Sequence, residues 1–334
     1  TWSELFNYET AQNKYPVLGV LVWYLFITIM GWLFYPTGRL VFKGLSDKGF
    51  PLLKLTGLIL WAAVVWWLGS SGVAVTRLTV LLGLLALCAV NLAIGWKNWP
   101  AIKSEIRVNY KRFLKFELAA LGFFIFFLLI RLGNPDLWHP YKGGEKPMDF
   151  SYFNAVLKSV TFPPYDPWYA GGYINYYYYG FVLAAMPVKL LGIVPSIAYN
   201  LILPTFFSFT AMAAFCFGWN VFDSLDIAKT EPQNRSKSFW QTIVSSPFAL
   251  GLTSALFVLV IGNLGSMSMI VQGFQKIATT GAAIETGNIF ERIRLLIEGI
   301  GLFLSGRHFT YYPGDWYWIP SRTIPGEPIT EFPY

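Results

Sequence analysis

Asp149 and Asp166 stand in a polar stretch of an otherwise apolar chain, Glu145 to Gly180, which reads EKPMDFSYFNAVLKSVTFPPYDPWYAGGYINYYYYG. Asp149, flanked by Lys146 and Phe150, is a carboxylate set to take a proton from an incoming hydroxyl or to hold a divalent cation such as Mg or Mn. Apolar residues at Phe150, Phe153, Val156, Leu157 and Val160 have helical spacing, so Asp149 also has a purely structural reading as the N-cap of that helix. Around Asp166, Pro163, Pro164 and Pro167 followed by Gly171 and Gly172 force an extended, turning backbone. Such a segment is either a linker between two surface helices or one wall of a pocket. In the second case Asp166 binds hydroxyls while Trp168, Tyr177 and Tyr178 offer aromatic faces to a sugar ring. The run Tyr176 to Tyr179 also reads as an aromatic belt at headgroup depth. Arg307 and Arg322 suit phosphate recognition through the guanidinium fork, or anchor loops at the headgroups. His139 and His308 are the only 2 histidines; His139 joins the candidate substrate contacts, and one histidine with Asp149 is an incomplete metal site.

The elements that must hold these residues are membrane helices. Hydrophobic residues make up 55% and charged residues 13% of the 334-residue chain, and mean hydropathy is +0.48. Uncharged runs at Tyr15 to Gly38, Leu55 to Thr76 and Leu78 to Trp96 each exceed the roughly 18 residues needed to cross a bilayer. A fourth span is expected from Phe113 to Leu132, and two more within Leu190 to Phe222 and Ser238 to Gln275. The expected fold is an all-α, polytopic transmembrane bundle of about six spans. Tyr176 to Leu191 is short and carries Pro187 and Lys189, and is expected to lie along the membrane surface. Ile289 to Leu304 reads as a surface amphipathic helix. The expected organisation is a four-span region (1–132), a loop with juxtamembrane helices (133–195), two further spans (196–265) and an amphipathic segment (266–334).

Lys and Arg set the orientation. Arg39, Lys43, Lys48 and Lys54 follow the first span, and Lys97, Lys103, Arg107, Lys111 and Arg112 precede the fourth, so both segments are expected in the cytoplasm. The Glu145 to Gly180 loop and the segment after Asn263 then lie outside, which puts Asp149, Asp166, Arg307, Asp315 and Arg322 on one side of a cell membrane. A formal net charge of +7 fits basic loops facing anionic lipid, and no basic cluster points to nucleic acid. Cys88 and Cys216 fall inside spans and indicate neither disulfide nor metal. Asn234, Arg235 and Ser236 match a glycosylation sequon, set aside because its segment is expected in the cytoplasm. The chain opens on Thr1 and ends at Tyr334 in an apolar-aromatic pattern, and is expected to be a portion of a longer protein.

The motifs EKPMDFSYFNAVLKS and FPPYDPWYAGGYINYYYYG resemble an uncharacterised prokaryotic membrane-protein family named for its YYY motif. The likeness extends to LSDKGFPLLKLTGLILWAAVVWWLGS, to GNLG at Gly262 to Gly265 and to PSRTIPGEPITEFPY, so it covers essentially the whole chain. That layout is in turn similar to the C-type glycosyltransferase superfamily, in which a long outside loop carries an acidic residue soon after a span. This resemblance implies that Asp149 is the loop carboxylate and that the donor is a sugar on a polyprenyl phosphate. Asp149 has no second acidic residue after it, a departure from the best-known pattern that leaves the metal open. The alternative class is a non-catalytic membrane protein, a scaffold subunit or a transporter. Transport is disfavoured because the spans carry few ionisable residues.

Overall fold

A computed structural model describes residues 2–137, 146–175, 177–224, 246–262, 264–279 and 288–308. His139, Asp315 and Arg322 lie outside them. Helix α1 is Trp2–Leu5, α2 Ala11–Lys14, α3 Pro16–Leu33, α4 Tyr35–Val41, α5 Leu53–Ser70, α6 Arg77–Lys97, α7 Trp99–Gly133, α8 Lys146–Lys158, α9 Tyr178–Leu191 and α10 Pro195–Ser224. Then come α11 Pro247–Leu256, continued as a π-helical turn Phe257–Ile261, α12 Leu264–Ala278 and α13 Ile289–Leu304. No strand occurs among the described residues; one isolated antiparallel bridge pairs Tyr165 with Tyr173. The all-α bundle expected from the sequence is therefore the observed architecture.

Five described helices are long and apolar enough to cross a membrane: α3, α5 with its leading turn from Phe50, α6, α7 and α10. The expected sixth uncharged stretch is divided. Pro247–Ile261 is a shorter apolar helix and α12 follows from Leu264. Compact packing separates residues 1–255 from residues 256–334.

In the first unit the spanning helices share one apolar core that includes Trp23, Ile27, Trp61, Val65, Phe124 and Phe209. With lipid on the outside, apolar burial alone does not hold such helices together, and close packing with interhelical hydrogen bonds must. Trp23 Nε1 donates to Thr205 Oγ1 at 2.8 Å, tying α3 to α10, and Ser208 Oγ donates to the Ala120 carbonyl at 2.8 Å, tying α10 to α7. A Cβ at Gly57 would stand 2.9 Å from the Phe34 ring, so the small residue lets α5 approach the end of α3. Lys54 and Glu117 form a largely covered ion pair between α5 and α7.

Long-range contacts sort the connections onto two ends. At the basic end Arg39 pairs with Glu105 at 2.9 Å and Asn220 Oδ1 accepts from the Ser46 amide at 2.8 Å. At the opposite end, which carries Lys146 to Asp149 and Tyr177 to Tyr179 of the motif loop, Val75 N donates to Val160 O at 2.7 Å and Asn13 Nδ2 to Gly192 O at 2.9 Å. The alternation matches five crossings.

The two helices of the motif loop belong to the core. Phe153, Val156 and Leu157 of α8 and Val182, Ala185 and Met186 of α9 are buried in the same cluster as the spanning helices. Thus α9, expected to lie along the membrane, packs into protein over most of its length. It is 14 residues long, below spanning length.

In the second unit α12 and α13 form a hairpin. Gln275 Nε2 donates to Arg292 O at 3.0 Å, and the Phe274 and Phe303 rings meet edge to face at 5.6 Å. Gly299 sits where α13 presses on α12, and a Cβ there would fall on the Phe274 carbonyl. We expect Gly299→Ala to lower stability by about 1–3 kcal/mol through overpacking. Gly301→Ala, with open space around its added methyl, should leave it unchanged or slightly raised. Thermal unfolding of the two variants in one detergent checks the contrast.

Candidate functional site

Helix α8 starts at Lys146, before the Phe150 expected from periodicity, because Pro147 suits the first turn, where a missing N–H costs nothing. Asp149 is therefore not the N-cap but a first-turn residue, where the positive end of the helix dipole favours its charge. Ser151 Oγ donates to Met148 O at 2.8 Å and Asn154 Nδ2 to Phe150 O at 2.7 Å, both local bonds along the helix.

One face of α8 lines a cavity of about 740 Å³ at the motif end. Pro147, Ser151, Asn154 and Lys158 contribute from the helix, and Tyr165, Asp166 and Pro167 from the proline-rich turn. The turn is pinned by its own bonds: Asp166 Oδ1 accepts from Trp168 N at 2.8 Å, and Trp168 Nε1 donates to Ser151 Oγ at 2.7 Å. Asp166 N bonds Gly172 O at 3.0 Å, and the Tyr165 and Tyr173 rings stack at 4.7 Å. Partial burial, and then the charge of Asp166, push the Tyr152 phenol up. Lys158 stands 5.4 Å from the centre of the Trp2 ring.

Asp149 lies on the other side of α8. At about 100° per residue it falls with Phe153 and Val156, roughly opposite the Pro147–Ser151–Asn154–Lys158 stripe. It stands within electrostatic range of Tyr199 on α10, which also feels Arg131 at the end of α7. Phe150 meets Tyr199 edge to face at 5.7 Å. Arg131 is 8% exposed, and its Nε donates to Asn200 Oδ1 at 3.0 Å while a second guanidinium nitrogen reaches the same oxygen. Asn200 Nδ2 donates back to Pro135 O at 3.3 Å and Ser196 O at 3.0 Å. The charge of Asp136 also acts on Arg131. None of Asp149, Arg131, Tyr199 and Asn200 lines the cavity, whose wall includes Leu137 and Pro147, close to Asp136 and Asp149 in sequence.

The remaining sequence candidates separate. Tyr177 and Tyr178 line a second, more open cavity of about 920 Å³ with Trp66 and Trp67. Tyr178 Oη accepts from Trp66 Nε1 at 2.8 Å, and Tyr177 begins the helix from a left-handed backbone at φ 61°. Lys146 is the first residue of α8 and does not line the main cavity. Arg307 belongs to the second unit, where its guanidinium donates to Ile277 O at 3.4 Å. No three His, Cys, Asp or Glu side chains converge among the described residues, so they do not assemble the donor set of a divalent-cation site around Asp149.

Two residues escaped sequence reasoning. Arg131, at the end of the fourth apolar run, is buried and acts on the same Tyr199 as Asp149. Lys189 is 3% exposed and donates to Val75 O at 3.1 Å and to Ser159 O at 3.0 Å, where Ser159 is part of the cavity wall. Burial lowers the Lys189 amine from 10.5 to about 8. A basic residue at the end of an apolar run was the available signal in both cases.

Five apolar crossings, with a loop folded into the bundle at one end and a cavity against that loop, define a polytopic membrane protein with its candidate site at a membrane face. Residues 60–334 match the uncharacterized membrane protein family DUF2298, and the chain belongs to that family. No curated protein and no solved structure matches it.

Proposed function

We infer that the motif end is the working face of a membrane glycosyltransferase, or a relative of one, that moves a sugar from a polyprenyl-phosphate donor to an acceptor outside the cytoplasm. The observation that carries the reading is that Asp149 and Arg131 both act on Tyr199, with Asp149 in the first turn of the helix whose other face lines the cavity of Asp166. An inverting displacement needs a carboxylate to take the acceptor proton and positive charge to meet the leaving phosphate. Asp149 has the first role. We assign the second to Arg131, which acts on the same Tyr199 as Asp149. Asp166, Lys158 and Asn154 give the cavity hydrogen-bonding groups suited to hydroxyls. The aromatic groove of Trp66, Trp67, Tyr177 and Tyr178 suits the apolar part of a lipid-linked donor.

The test is transfer by the purified full chain in proteoliposomes, supplied with polyprenyl-phosphate-linked hexoses and a membrane-enclosed acceptor glycan. Expected is sugar transfer on the face that carries an accessible label at Tyr169, which is exposed at the motif end. Absence of transfer with every donor, together with co-purification of another protein at fixed stoichiometry, would favour the scaffold alternative.

A further inference from the structure

A third cavity, about 630 Å³ in volume, opens at the basic end of the bundle. Its wall is apolar and aromatic: Trp32 and Pro36 from one side, Leu92 and Trp96 from α6, and Trp99 and Ile106 from α7. It faces away from the motif loop, and nothing in the proposed transfer uses it. The size is that of an ordinary small-ligand site.

Two features set it apart from a passive groove. Asn91 lines it while only 2% exposed, and although its Nδ2 donates to Leu87 O at 2.9 Å, its Oδ1 has no donor. An unmet buried acceptor costs roughly 1–3 kcal/mol, a cost that a donor on the polar part of an occupant removes. Second, Lys97, Lys103 and Arg107 flank the lining residues Trp96, Trp99 and Ile106 on the same two helices, and all three are exposed and make no ion pair among the described residues. Arg39, by contrast, is already held by Glu105. Trp96 and Trp99 are themselves largely exposed, as suits aromatic rings at headgroup depth.

We propose that this cavity is a binding site for one anionic glycerophospholipid of the leaflet adjoining the basic end. An acyl chain occupies the aromatic slot, and the phosphate sits among Lys97, Lys103 and Arg107. The charge complementarity selects an anionic over a zwitterionic head, and clustered cations between helices at the basic side suit such heads.

Native mass spectrometry of the full chain, with phosphatidylglycerol or phosphatidylcholine of identical chains added, reads the selection directly. Wild type is expected to retain phosphatidylglycerol about fivefold or more over phosphatidylcholine. Replacing Lys97, Lys103 and Arg107 together by Gln should bring that ratio below about twofold. Leu92→Trp, which fills the slot from an exposed position, should lower retention of both lipids. Both variants alter surface residues, and an unchanged melting temperature confirms that they fold. Equal retention of the two lipids by wild type would overturn the proposal, as would a ratio unaltered in the triple variant or retention unaltered in Leu92→Trp. Displacement of phosphatidylglycerol by an equal concentration of polyprenyl phosphate would overturn the choice of a glycerophospholipid. None of these readings depends on sugar transfer.

Discussion

Asp149→Asn is expected to reduce sugar transfer by about 10²–10⁴-fold, the range in which a positioned general base contributes, while membrane insertion and melting temperature stay close to wild type. The amide keeps the shape of the side chain and its place in the first turn of α8 but cannot take a proton. Arg131 supplies the contrast that separates chemistry from scaffolding. Arg131→Met removes a buried guanidinium that holds Asn200 by two donors, so it should lower both transfer and stability, the latter by about 1.5–3 kcal/mol for charged hydrogen bonds. Arg131→Lys keeps the charge but not the fork, and should recover part of the transfer with little of the rigidity. Transfer rates and melting temperatures for the three variants test the assignment. Full transfer by Asp149→Asn removes Asp149 from the mechanism, whatever the Arg131 variants do.

Much of the fold is legible in the chain because a bilayer imposes a length that is simple to count. The uncharged runs ending near Gly38, Thr76 and Trp96 correspond to α3, α5 and α6, and the basic segments beside them meet at one end through Arg39 and Glu105. The sixth run is less simply read, since absence of charge does not guarantee an unbroken helix and this one divides after Ile261. Within the candidate site, local pattern and long-range assembly differ sharply. Helical spacing correctly marks Phe153, Val156 and Leu157 as the buried side of α8, and the same spacing puts Asp149 on that side, away from the face that meets Asp166. What the pattern does not carry is the partner across the gap. Tyr199 and Asn200 lie in an uncharged stretch that reads only as a span, yet they meet Arg131 from a helix far away in sequence. Nor does it reveal that α9 is covered by protein, because a short apolar helix with tyrosines at one end has the same composition whether it meets lipid or other helices.

Lys189 sits at the junction of these elements, and its titration should be visible in the stability of the whole motif end. Its ammonium joins the α5–α6 connection at Val75 to the end of α8 at Ser159, with less than a tenth of the residue exposed. Desolvation lowers its value from 10.5 to about 8, so the fold loses that proton before the unfolded chain does. Above pH 10.5 the amine is neutral in both states and the contribution is at its maximum. Between pH 10.5 and about 8 the unfolded chain binds a proton that the fold refuses, and stability falls as pH falls. Below about 8 the amine is charged in both states and the loss is complete, on the order of 3 kcal/mol for a shift of this size. Lys189→Met should therefore flatten the rise in melting temperature between pH 8 and 10. At pH 7 the two proteins should differ less, because relief from burying a charge is offset by leaving the Val75 and Ser159 carbonyls without a donor, at roughly 1–3 kcal/mol each. Thermal unfolding in detergent from pH 7 to 10 distinguishes the outcomes: a slope equal to that of wild type would mean that Lys189 stays charged throughout, and that the bond to Ser159 is an ordinary ammonium contact rather than a proton-sensitive tie beneath the cavity wall.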